Sequence, residues 1–131
     1  MITTTTWKSD LVFESRQDEI GSVLMDGNRE TAMSPKALLL SGLAGCSGID
    51  VVEILKKMRV EFSDLEITCE AEQTEESPKV FKEIQLVFSV KVDSADTDKV
   101  KKAIDLSMEK YCGVAAMLRK NSAINYKLNI L

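Results

Sequence analysis

The chain has 131 residues, 44% of them hydrophobic and 29% charged, with a net charge of −4; these proportions exclude a disordered chain, and the mild acidity argues against sequence-independent nucleic-acid binding, which needs a basic footprint. No histidine is present, which excludes Ser-His-Asp and Cys-His catalysis and histidine metal ligands, and three cysteines are too few for a four-thiolate zinc site. An odd cysteine count without a signal peptide predicts a reducing, cytoplasmic setting, and the length predicts one domain over residues 1–131.

The first 25 residues read as short strands. Thr3 to Trp7 is β-branched and aromatic, Leu11 and Phe13 alternate with Val12 and Glu14, and Ile20 to Met25 ends at the turn signal Asp26-Gly27. A polar loop follows, and then Ser34-Pro35 opens a helix, with Ser34 as N-cap and Pro35 at the first helical position. From Ala37 to Ile49 the residues are nearly all apolar or small. That stretch is shorter than the roughly twenty residues of a membrane span, so it predicts a central core helix ending near Lys56–Arg59. Gly42, Gly45 and Gly48 recur along it. Each glycine costs roughly 1 kcal/mol against alanine in a helix, and close approach of another backbone, as across a dimer interface, would offset that.

Leu65, Ile67, Cys69 and Ala71 alternate with polar residues, and after a turn containing Pro78 so do Ile84, Leu86, Phe88, Val90 and Val92, which predicts two strands. Val100, Ala103, Ile104 and Met108 then follow helical spacing, with Asp96 and Asp98 suited to the helix's positive end. Tyr111-Cys112-Gly113 breaks the pattern, Val114 to Lys120 resumes as a short helix stopping near Asn121, and Ile124 to Ile130 alternate as a closing strand. The chain is read as α+β, without repeats or linkers.

Chemistry falls to the cysteines. Cys69 shares the apolar face of its strand and reads as a packed small hydrophobe. Cys46, mid-helix among glycines, is either a core residue or a sulfur that a small ligand reaches. Cys112 is either buried at a bend or held in the first turn of a helix, where free N–H groups would favour a thiolate. Asp50, one turn after Cys46, pushes against a thiolate. Lys56, Lys57 and Arg59 read as a solvated helix end, and Glu70, Glu72, Glu75 and Glu76 as an exposed strand face and turn.

At residues 34–59, SPKALLLSGLAGCSGIDVVEILKKMR, and 107–121, SMEKYCGVAAMLRKN, the sequence resembles the OsmC/Ohr family, and the likeness extends over essentially the whole chain. The resemblance implies an intertwined homodimer with two central helices. It also implies a peroxidase for small organic hydroperoxides, with Cys46 attacking, Cys112 resolving and an external dithiol such as a lipoyl group as reductant. No bound cofactor or metal, nucleic acid or membrane is expected. Peroxidase members of the family carry a glutamate just after the helix-opening proline, where this chain has Lys36 and Ala37, and an arginine from the N-terminal strands, for which Arg16 and Arg29 lie in the right region. The sequence thus resembles the branch lacking that pair, with Arg16 and Lys36 as the cations near the substrate. The alternatives are a dimer that binds an apolar or thiol-bearing small molecule, and a thiol-exchange or persulfide-handling protein.

Overall fold

The computed structural model describes residues 1–131 and divides into two compact units, Met1–Leu40 and Ser41–Leu131. In the first, β1 (Thr3–Ser9), β2 (Val12–Gln17) and β3 (Gly21–Asp26) form an antiparallel meander. The loop after β3 is organised by one carboxylate. Buried Asp26 accepts hydrogen bonds from the backbone N–H groups of Asn28, Glu30 and Thr31 and from the Thr31 hydroxyl, at 2.8–3.2 Å. The Thr31 and Asn28 amides are the chief reasons its carboxyl is held below the usual range. The loop returns through a parallel bridge between Met25 and Met33.

Helix α1 (Pro35–Lys57) begins as the sequence predicts: the Ser34 hydroxyl accepts from the Ala37 amide at 3.2 Å. Its burial departs from that prediction. Leu43, Ser47, Val51 and Leu55, spaced four apart, form a buried stripe, whereas Leu39, Gly42, Gly45 and Ile49 are exposed. A single chain therefore covers one face of α1 and leaves the glycine face open. Nor does another backbone of the chain approach the glycines. A Cβ built on Gly42 or Gly45 meets nothing within 4 Å, and one on Gly48 meets the Ile67 side chain at 3.0 Å. By length and composition α1 could cross a membrane, with a mean hydropathy of 1.7 over its most apolar window. Its buried stripe is how a helix behaves when it packs on a core.

In the second unit β4 (Phe62–Gln73) and β5 (Phe81–Val92) make a long antiparallel hairpin, and β6 (Ala123–Ile130) adds to β5 in parallel. A parallel neighbour requires a crossover connection. Here it comprises a 3₁₀ turn (Ser94–Asp96), α2 (Thr97–Leu106), a π-helical turn (Ser107–Tyr111) and α3 (Gly113–Arg119). Phe81, Ile84, Leu86, Phe88 and Val90 of β5 are buried, as are Val100, Ala103, Ile104 and Met108 of the crossover. The two periodicities read from the sequence meet in this core.

Candidate functional site

The site grows from the buried stripe of α1 and the joint between α2 and α3. In an α-helix the Cys112 amide would bond to Met108; here it donates to Ser107 O, one residue further back, at 2.8 Å. That single π-type step orphans the Met108 carbonyl, which is taken by the Arg119 guanidinium at 2.6 Å. It also leaves Cys112 in an extended conformation as the N-cap of α3, its Sγ accepting from the Ala115 amide at 3.3 Å.

Across from this turn, Ser107 Oγ lies 2.9 Å from Asp50 Oδ2 and 3.0 Å from Ser47 Oγ. A hydroxyl has one proton and a carboxylate only accepts. The Ser107 proton therefore goes to Asp50, and Ser107 accepts from Ser47. Both serines are fully buried.

The thiols of Cys46 and Cys112 are near enough to act on each other electrostatically, and the three cysteines form no disulfide. Cys112 is buried and Cys46 half-buried. Burial pushes the Cys112 thiol up to about 11. The neighbouring Cys46 thiol and the charge of Asp50 act in the same direction, against the Ala115 amide. Of the two readings left open for Cys112, burial at a bend wins over thiolate stabilisation: one N–H at 3.3 Å does not offset the loss of water. Cys69 is half-buried on β4, and burial raises its thiol too, as befits a packed strand residue.

The structure thus brings Cys46 and Cys112 together within the second unit. Arg16 is exposed on β2, paired in register with Thr4 and Ser22, and Lys36 stands in the first turn of α1, ten positions before Cys46; both belong to the first unit. A groove of about 570 Å³ in the second unit is lined by Asp105, Met108, Glu109, Arg119 and Tyr126 among others, and neither sulfur lines it. The Tyr126 hydroxyl there donates to Asp105 at 2.7 Å, and burial together with that bond pushes its pKa to about 12.

Ser47, Ser107 and Arg119 were missed in the sequence. The signal existed for two of them. Ser47 sits in register with Leu43, Val51 and Leu55, and Ser107 with Val100, Ala103 and Ile104, so each is a hydroxyl at a core position of an amphipathic helix. Arg119 had no such mark, because its partner is a carbonyl that only the π-type step leaves unpaired.

Comparison with known proteins gives consistent likenesses. A family model described as OsmC-like protein matches residues 26–127. Protein YhfA of Escherichia coli K12 is 39% identical over 126 residues, covering 95% of this chain and 94% of its own. A solved structure of a hypothetical protein from Aquifex aeolicus is 30% identical, with a TM-score of 0.83 over 99% of this chain and 96% of that one. An organic hydroperoxide resistance protein from Legionella pneumophila shares the fold at 15% identity and a TM-score of 0.69, covering 98% and 96%.

Proposed function

The chain belongs to the OsmC-like protein family, and from that premise we propose that it is a cysteine-based thiol peroxidase for small organic hydroperoxides. The observation that carries this reading is the pair of adjacent thiols, one half-buried and one buried, on two different helical elements. Burial supports a division of roles. Cys112, protonated at neutral pH, is the poorer first attacker, so Cys46 is the nucleophile. The Cys46 thiolate attacks the distal peroxide oxygen, the O–O bond breaks, and the alkoxide leaves and takes up a proton as alcohol. Cys46 is then a sulfenic acid. The Cys112 sulfur displaces its hydroxyl, and with the thiol proton that hydroxyl leaves as water, giving the Cys46–Cys112 disulfide. An external dithiol returns both thiols by two exchange steps. Arg16 and Lys36 are proposed as the cations that hold the peroxide.

The working unit is proposed to be a homodimer in a reducing cytoplasm. Supporting this are the open, apolar face of α1, with Leu39 and Ile49 more than half exposed beside Gly42 and Gly45, and the exposed Trp7, Ile20 and Val23 of the first unit. Apolar surface left in this pattern marks association.

The test is stopped-flow mixing of the reduced protein with cumene hydroperoxide, with intact-mass readout, beside Cys46→Ser and Cys112→Ser. Expected are rapid loss of two hydrogens in the parent, no reaction in Cys46→Ser, and over-oxidation in Cys112→Ser. Arg16→Ala and Lys36→Ala are expected to slow the first step only. Reaction no faster than free cysteine would sink the peroxidase. One observation favours the alternatives, a binding dimer or a thiol-exchange protein: no cation is among the groups acting on Cys112.

A further inference from the structure

Ser107 makes two connections at once. Its carbonyl takes the Cys112 amide at 2.8 Å and so closes the π-helical turn. Its hydroxyl bonds to Asp50 at 2.9 Å and Ser47 at 3.0 Å, both on α1. Ser47 is the residue next to Cys46, and Asp50 lies one turn further on. The same residue therefore grips the backbone that carries one thiol and the helix that carries the other. Apolar contact leaves neighbouring elements free to slide by fractions of an ångström, whereas a buried hydrogen bond fixes direction and distance. Burying two hydroxyls and part of a carboxylate is costly unless all are paired, and every buried side-chain oxygen here is paired.

The geometry points to the Ser47–Ser107–Asp50 chain as a positioning clamp that holds the Cys112-bearing turn in register with Cys46 and so governs closure of the disulfide, not the first attack. This rests on the dithiol reading above but not on peroxide. Asp50 has a second effect. Cys46 and Asp50, both on α1, act on the Cys112 thiol, and the negative charge of Asp50 opposes loss of the Cys112 proton. Closure by a free thiolate is therefore slow at neutral pH and rises as pH climbs towards the Cys112 value.

The experiment uses glutathione disulfide and the full chain carrying Cys69→Ser. The Cys46 thiolate attacks one sulfur and releases one glutathione thiolate. Cys112, after losing its proton to solvent, attacks the Cys46 sulfur and expels the second. The dithiol is oxidised by two electrons and glutathione disulfide is reduced to two thiols. Acid quench and intact mass separate mixed disulfide from closed product. Misplacement by about 1 Å can cost up to about a hundredfold in rate, so Ser107→Ala is expected to slow closure by about tenfold and accumulate the mixed disulfide. Ser107→Thr, which keeps the hydroxyl, is expected to restore closure. Asp50→Asn, whose amide oxygen still accepts from Ser107, is expected to close faster at pH 7, with its pH profile displaced downward. Closure at the parent rate in Ser107→Ala overturns the clamp, and an unmoved profile in Asp50→Asn overturns the charge effect. Should Ser107→Ala fail to fold, Ser47→Ala carries the same test with a smaller expected slowing, and an unchanged rate there counts equally against the clamp. A parent that closes normally with glutathione disulfide yet ignores cumene hydroperoxide removes the peroxidase and leaves the clamp standing.

Discussion

The two units solve different problems. Along β5 the inward side chains Ile84, Leu86, Phe88 and Val90 are at most 1% exposed, whereas every residue of β1 is exposed and Trp7 is 63% so. The second unit holds a core of its own. The first is a sheet kept in shape by ladder hydrogen bonds and the Asp26 loop, with its apolar side chains uncovered. The contrast teaches that a packed core and an uncovered sheet are partitioned along this chain. The thiol pair sits on the second unit, which has the packed core, while uncovered apolar surface lies on the first unit's sheet and on the open face of α1.

That partition can be broken at its strongest point first. Phe88→Ala, which empties a fully buried site and removes the edge-on contact with Tyr126 at 6.0 Å, is expected to cost about 3–5 kcal/mol in denaturant unfolding. A cost below about 1 kcal/mol would mean the second unit lacks the independent core assigned to it. Next, the Cys112 thiol is pushed above its ordinary value of 9.0 to about 11. Its neutral form is favoured by folding, so that contribution is fully present below pH 9 and is lost as pH rises through about 11. Thermal unfolding should weaken over that window, and Cys112→Ser should flatten the decline. In the first unit Asp26 has the opposite sign. Its lowered pKa contributes stability above the ordinary carboxylate value of 3.8 that is lost as pH falls through the folded value. Asp26→Asn should speed hydrogen exchange at the Asn28 and Thr31 amides while leaving β5 protected. The smallest effect sharpens the contrast: Trp7→Ser should leave unfolding of the isolated chain within about 0.5 kcal/mol yet weaken self-association in sedimentation.

Much of the fold was legible because local signals and tertiary context agree. The Ser34-Pro35 start, the alternation of Ile84 to Val90 and the closing strand are all where the sequence puts them. Within one chain α1 is covered on one face only, because apolarity on all sides says that a helix will be covered, not whether the cover belongs to the same chain. The parallel pairing of β6 was silent, since alternation carries no strand direction. At the site, the resemblance singled out both cysteines, but whether Cys112 would be stabilised or suppressed as a thiolate depends on burial against a single amide, a balance that spacing alone does not reveal. Ser47 and Ser107 were readable as polar residues in apolar registers. Their joining was not, because it depends on how the end of α2 packs against α1, which helical spacing within either element does not reveal.

The parallel seat of β6 has a consequence for how the thiol pair comes to exist. Cys112 rides on the connection between β5 and β6, so the crossover that a parallel pairing requires also carries this thiol. Pairings this distant along the chain are entropically slow to form. The thiol pair is likewise a long-range contact, made by the tertiary structure and not by any local element. A chain that ended before Cys112 would lack both the second thiol and the strand that completes the sheet.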